Sequence, residues 1–409
     1  MSRNAHGYLK AILVCSTACL FCAYQFMLQG ATAVMVPELI ASLDLDLTDI
    51  GLLTSSFLYM YLLFQVPGGY VADRFSARKL LTFCSLVIAL ACFWFSQANS
   101  MLEACLARGL MGIATAPGIV VCLNLVARWF PERWFCAMAG LVEAFALTGG
   151  ALGPLVLPRI IASSGWRDAM IWVTLLGIVL AFLSWLLVRD KPSNINQLEL
   201  ALQHSKEEPE EAHQPFNRRQ YAWLCLFGFG LFAMISTFAG LWGIPFLDLQ
   251  FPSQDTGVAD TISLVFIGAG LGAPLLGAVS SWLNKIRLTM LGSLIGALIM
   301  SWLLIFCDCS LDVKALMCFM VGFCCGGYML VFSQVKKIGQ SKSQGMVLAG
   351  ANGSMLLAGP VLQPVIGYIL HTRQSGEHVL SMVDYQMAFI PLLLAQLLAL
   401  VAIVSLLRK

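Results

Sequence analysis

Two charged side chains stand deep inside apolar stretches of this 409-residue chain, Arg108 in "CLARGLMGIAT" and Glu143 in "GLVEAFALTGG". A charge in hydrocarbon is costly unless it pairs or meets water, so each is a candidate for chemistry. Glu143 is the expected proton-coupling group, because a carboxyl that passes between water and an apolar site takes up or gives up a proton. The competing reading is a carboxyl satisfied by neighbouring helix hydroxyls. Arg108 is read as a structural tie from its own helix to the first one, with contact to a solute carboxylate as the alternative. The two fall at different depths and are not read as a direct pair.

Neutral polar groups form a second set. Gln25 and Gln29 stand four apart on one helix face, with Thr32 a turn further on and Tyr24 beside them. Amides and hydroxyls on one stripe suit a pocket that hydrogen-bonds a polar solute, and they serve equally well as glue between helices. Trp242, Tyr328 and Asn352 are the candidates from the second half of the chain, with Gln334 and Gln363 behind them. No cluster of metal-binding or acid–base type lies in the apolar blocks, and no G-x-x-x-x-G-K-[ST] phosphate loop occurs. Neither an enzyme, a cofactor, a metal site nor direct ATP drive is expected.

The third set is a loop. "GGYVADRFSARK", residues 68–79, brings Asp73, Arg74, Arg78 and Lys79 together where an apolar run stops. Arg74 and Arg78 can bond helix-end carbonyls and a carboxylate, contacts that one arrangement of helices makes and another breaks. Bases that only enforce topology would account for the Arg and Lys, but not for Asp73 or Gly69.

The elements that carry these residues follow from composition. The chain is 59% hydrophobic and 11% charged, where an ordinary soluble domain has about 25% charged residues. Continuous apolar blocks of roughly 20 residues recur, the length that crosses a bilayer as helix. The fold class is all-α integral membrane, with about twelve transmembrane helices in two pseudo-symmetric six-helix bundles. The spans are read at 10–37, 50–72, 78–98, 102–127, 137–158, 169–188, 221–248, 259–283, 288–307, 312–335, 345–370 and 385–407. The first block outruns a signal peptide and is expected to be retained. The fourteen cysteines fall mostly inside apolar blocks and are read as small helix-facing residues.

Charge sets the orientation. Of 24 Lys and Arg residues, nineteen fall on the side that holds both termini, while Arg159, Arg167, Lys314 and Arg373 fall on the other. The positive-inside rule then puts both termini in the cytoplasm and the chain in the cell's inner membrane. A net charge of +2 implies no nucleic-acid partner. The polar stretch around "HSKEEPEEAHQPFNRR" is read as a solvated cytoplasmic linker, 191–219, between an N-terminal bundle, 1–190, and a C-terminal bundle, 220–409.

An internal repeat supports that division. "GLVEAFALTGGALGPLVL" from Gly140 aligns without gaps on "GANGSMLLAGPVLQPVIG" from Gly350, and "GYVADRFSARK" from Gly69 faces "GAVSSWLNKIR" from Gly277. Spans 5 and 11 correspond, as do spans 2 and 8. The second loop copy has Ser281 and Trp282 where Asp73 and Arg74 stand, so any clamp there is weaker. Gly149, Gly153, Pro154, Pro360 and Pro364 are read as hinge positions, with plain close packing as the alternative.

Gly69, Asp73, Arg74 and Arg78 match the G-x-x-x-D-R-x-x-x-R loop signature, and the chain resembles the major facilitator superfamily over essentially its whole length. "RGLMG" and "GGALGP" are similar to that superfamily's span-4 and span-5 motifs. The resemblance implies that the loop's Asp and Arg clamp the cytoplasmic helix ends in the outward-open state. "AYQFMLQGATAVMVPEL", "LWGIPFL" and "NGSMLLAGPVLQPVIG" look like a bacterial branch of small-metabolite facilitators. That branch has Glu and Arg where this chain has Gln25 and Gln29, which argues against carrying over an anionic substrate.

The expected function is secondary active transport by alternating access. The solute is a small polar metabolite, neutral or zwitterionic and amino-acid-like, moved by a monomer with protons in symport. Export of drug-like or siderophore-like compounds is the main alternative. A non-transporting membrane sensor is the other, and it would need a signalling domain larger than the longest loop.

Overall fold

The computed structural model describes residues 2–130, 132–190, 217–252, 255–338, 344–374 and 380–407, and these are helical with short connections and no strands. Most of the expected linker therefore lies outside the described residues. Eleven helices have the length and apolarity to cross a membrane. Span 1 is Lys10–Val34, span 2 Leu47–Ala72, span 3 Ala77–Ser96 and span 4 Met101–Val126. Span 7 is Arg218–Gln250, span 8 Gly257–Leu283, span 9 Ile286–Phe306, span 10 Leu311–Val335, span 11 Gly350–Arg373 and span 12 Met382–Leu407.

The remaining stretch, Leu141–Leu187, has 47 residues. As one rod it would measure about 70 Å at 1.5 Å per residue, over twice the hydrocarbon thickness. It turns back at Gly165, whose φ of 82° and ψ of 165° suit a residue without Cβ. Spans 5 and 6 are thus 132–164 and 166–187, which makes twelve.

Several spans are irregular for readable reasons. Span 11 breaks between Leu356 and Ala358, because Pro360 lacks an N–H and its ring would strike the Leu356 carbonyl. Span 4 breaks at Ala116–Pro117. Span 10 tightens to a 3₁₀ turn over Gly326–Met329, and span 7 widens to a π-helix over Met234–Trp242. Pro154, by contrast, sits in unbroken helix.

Spans 1–6 pack on one another, as do spans 7–12, and the two bundles meet mainly where span 2 lies on span 11 and span 5 on span 8. Since span 2 corresponds to 8 and 5 to 11, these two seams are equivalents under the repeat. Within the first bundle a Cβ at Gly149 would overlap the Ala23 carbonyl of span 1. That close approach is what small residues provide in lipid, where apolar burial gives helices no net attraction. The thirteen described cysteines are free thiols, most of them buried between helices. We call the end carrying Arg74, Arg189 and Lys285 the basic face, and the end carrying Asp46, Arg159 and Arg373 the far face.

Candidate functional site

Along the first seam the bundles touch from the far face inward. His371 Nδ1 lies 3.6 Å from Asp46 Oδ2, and Asp46 also caps span 2 by accepting from the Asp49 amide at 2.7 Å. One turn deeper, a Cβ at Gly51 would stand 2.8 Å from the Gln363 carbonyl oxygen and 2.9 Å from Pro364 Cα. Ser55 donates to Gln363 Oε1 at 3.1 Å and Tyr59 to the Pro360 carbonyl at 2.6 Å. Gln363 is fixed from its own side as well, donating to the Ser236 carbonyl at 2.8 Å. Its backbone carbonyl accepts from Trp242 Nε1 at 3.1 Å.

The second seam repeats the pattern. Arg159 pairs with Asp260 at 2.8 Å, Gly150 faces the Phe266 ring, and Gly270 lies against Leu147. Deepest is Tyr328 on span 10, whose hydroxyl donates to Glu143 Oε1 on span 5 at 2.7 Å. Among the described hydrogen bonds and ion pairs, five join the bundles, and they run from the far face down to Glu143.

Toward the basic face the loop residues hold to their own bundle. The Arg74 guanidinium stacks 4.1 Å over Tyr70 and that of Arg78 lies 4.0 Å over Trp185. Asp190 accepts from Ser76 Oγ and from the Ala77 amide, each at 2.5 Å, which ties the end of span 6 to the start of span 3. A Cβ at Gly69 would meet nothing within 4 Å. The Asp73 side chain lies outside the described residues.

Where the closed part of the seams ends, polar groups from both bundles gather. Glu143 is half-buried. Tyr328 is buried and packs edge-on against Phe232 of span 7, ring centroids 5.2 Å apart. Tyr61 of span 2, also buried, lies close enough to Gln25 and Glu143 to interact with both. Gln25 is 3% exposed and its Oε1 has no hydrogen-bond partner. That oxygen occupies the room left by Gly118, where a Cβ would come within 2.8 Å of it. Gln25, Glu143 and Tyr328, chosen from sequence, thus share one site. Tyr61 and Phe232 were missed, because an aromatic in a span carries no sequence signal that separates lining from packing.

Other expected site residues are used elsewhere. The Tyr24 hydroxyl donates to the Val173 carbonyl of span 6 at 2.9 Å, and Trp242 is fully buried on Gln363. Both polar atoms are satisfied inside their own bundle, so both residues leave the list of solute contacts. Arg108 is 1% exposed and donates to the Leu28 carbonyl at 2.6 Å and the Gln29 carbonyl at 3.4 Å. It caps the end of the first helix, Ser2–Gly30, where a cation also meets the negative end of the helix dipole. These are the contacts expected of the structural tie; its Nε has no hydrogen-bond partner. Gln29 and Asn352 are half-exposed.

A third intramembrane charge corrects the expectation of two. Lys314, read as part of a far-side loop, is fully buried. Its ammonium donates to the Leu304 and Cys307 carbonyls at 2.6 and 2.8 Å, satisfying the end of span 9. Lys314 lies in the first turn of a helix that starts at Leu311, and its long stem folds back to the end of the neighbouring helix, which spacing alone does not reveal.

Comparison with known proteins agrees with this architecture. The Major Facilitator Superfamily profile matches residues 16–360. A probable sulfoacetate transporter of Cupriavidus necator is 30% identical over 161 residues, 39% of this chain and 37% of that protein. A hexuronate transporter of Bacillus subtilis is 25% identical over 164 residues, 40% of this chain and 39% of that protein. The match thus spans under two fifths of these relatives' length. A solved structure of a bacterial homolog of the human lysosomal transporter Spinster, inward-facing and occupied, superposes with a TM-score of 0.77. It covers 97% of this chain and 96% of that one at 15% identity, a likeness of fold. The profile match and the twelve-span architecture together establish that the chain belongs to the Major Facilitator Superfamily.

Proposed function

We propose that the chain is a secondary active transporter of the cytoplasmic membrane. It moves a small polar solute by alternating access between two rigid bodies, 1–190 and 220–409, joined by the linker 191–219. The observation that carries this reading is one-sided closure. Among the described contacts, five polar ties hold the bundles together from the far face to Glu143, while those of Arg74 and Arg78 lie within their own bundle. With the basic face and both termini in the cytoplasm, this is the inward-open state, the state named for the solved Spinster homolog. In the opposite state the Asp73 loop closes on the second bundle, and its two arginines exchange ring contacts for helix-end carbonyls.

Glu143 is the proton-coupling group of this mechanism. It stands where the closed seam ends, and its bond to Tyr328 joins the bundles. A proton on Glu143 removes the charge that strengthens that bond, so protonation and bundle separation are linked. Each monomer contains its own pathway. The relatives favour a second reading for the solute, since sulfoacetate and hexuronate are organic anions.

Spin labels test the mechanism without a known solute. One pair replaces Phe75 and Lys285 on the basic face, and another Gln97 and Ser310 on the far face. Loosening the closed seam with Arg159→Ala and Tyr59→Phe together should shorten the first distance as it lengthens the second. Distances that stay fixed, or that change independently, would defeat alternating access.

A further inference from the structure

We infer that the solute carries an ammonium group, and that this group binds between Glu143 and Gln25 within the ring wall of Tyr61, Tyr328 and Phe232. The inference deepens the transport reading above and rests on it. Its ground is the balance of charge and hydrogen bonding. Among the described residues, Arg108 and Lys314 are the buried bases, and both donate to backbone carbonyls. The polar cluster at the end of the seams therefore has one carboxylate and no base free to face it.

The cluster also has an excess of acceptors. Gln25 Oε1 is a buried acceptor with no partner, a condition that costs about 1–3 kcal/mol. Glu143 receives one hydrogen bond from Tyr328, and an ionised carboxylate accepts about four. Tyr61 and Tyr328 adjoin it, with Phe232 packed against Tyr328, and aromatic rings favour a cation over an anion as neighbour. An ammonium brings three donors and a positive charge to two under-used acceptors. A carboxylate or sulfonate would meet a like charge.

Because the ammonium and a proton address the same carboxylate, they compete, and the coupled movement is exchange of one for the other. That differs from the symport expected from sequence.

The test uses the full-length purified protein in detergent and three hexose derivatives of different charge: glucosamine, glucose and glucuronate. Hexylammonium is added as a minimal ammonium probe, and melting temperature is the readout. Both ammonium probes should raise it below neutrality, and hexylammonium, which keeps its charge throughout, should bind at least tenfold more weakly at pH 5 than at pH 8. Glucuronate should have no effect. Glu143→Gln should remove the response, and Tyr328→Phe, which frees the carboxylate of its competing donor, should make it several-fold tighter. The second variant keeps the test informative if the first fails to fold. A response to glucuronate that survives Glu143→Gln overturns the inference, as does the absence of any response to either ammonium probe. Neither result touches alternating access, which the label distances test separately.

Discussion

Adding one methyl group at Gly51 should turn the transporter toward its other state without unfolding it. The new Cβ would lie 2.8 Å from the Gln363 carbonyl oxygen and 2.9 Å from Pro364 Cα. Both are backbone atoms of the opposite bundle, so no side chain can rotate away. Ordinary contact needs about 0.6 Å more, and overpacking of this kind costs roughly 1–3 kcal/mol. The cost falls only on the state in which span 2 lies on span 11. The equilibrium should therefore shift by about 5- to 150-fold toward the far-open state. Gly149→Ala is the control, because its Cβ would overlap the Ala23 carbonyl inside the first bundle and the damage is the same in both states. Distances between labels at the Phe75/Lys285 and Gln97/Ser310 pairs read the populations, and thermal unfolding reads stability. Gly51→Ala should exchange the two distance populations with little loss of melting temperature, and Gly149→Ala should do the reverse. If both variants only lower the melting temperature, the seam is ordinary packing and the reasoning is wrong.

Further outcomes follow from the same geometry. Tyr59→Phe removes the 2.6 Å bond to the Pro360 carbonyl and should shift the label distances the same way by about 5-fold, the equivalent of about 1 kcal/mol. Arg108→Met uncaps Leu28 and Gln29 and should lower the melting temperature, while ammonium-probe affinity measured on the folded fraction stays unchanged. Asp190→Ala should cost about 1–2 kcal/mol of stability through the lost cap on Ser76 and Ala77. Glu143→Gln should abolish accumulation driven by a pH gradient in proteoliposomes; undiminished accumulation would remove the carboxyl from the coupling step.

The sequence made the scaffold legible because lipid imposes a crude rule. Every span must be long, apolar and helical, so block length located all twelve. The repeat between Gly140 and Gly350 matched equivalent spans of the two halves, but did not show which spans meet across the seams. The site was legible only in part. Glu143 announced itself as a charge in hydrocarbon, and Gln25 by its spacing from Gln29. Tyr24 and Trp242 looked equally polar, but their hydroxyl and indole groups answer nearby backbone carbonyls, a matter of rotamer and neighbour that one-dimensional spacing does not contain. Gln363 stood low among the candidates for the same reason. Its importance comes from three partners on two other spans, Ser55 of span 2 and Ser236 and Trp242 of span 7.

The π-helical turn in span 7 has a consequence for how this chain can vary. Widening the coil over Met234–Trp242 holds an extra residue and withdraws backbone oxygens from the regular ladder, and one of them, on Ser236, is answered by the Gln363 amide. Position 363 and the residue count of span 7 are thereby bound to one another. A descendant that lost the amide would give up the hydrogen bond that ties span 11 to this widened turn. A descendant that kept the amide but lost the residue would carry an amide with no oxygen to meet.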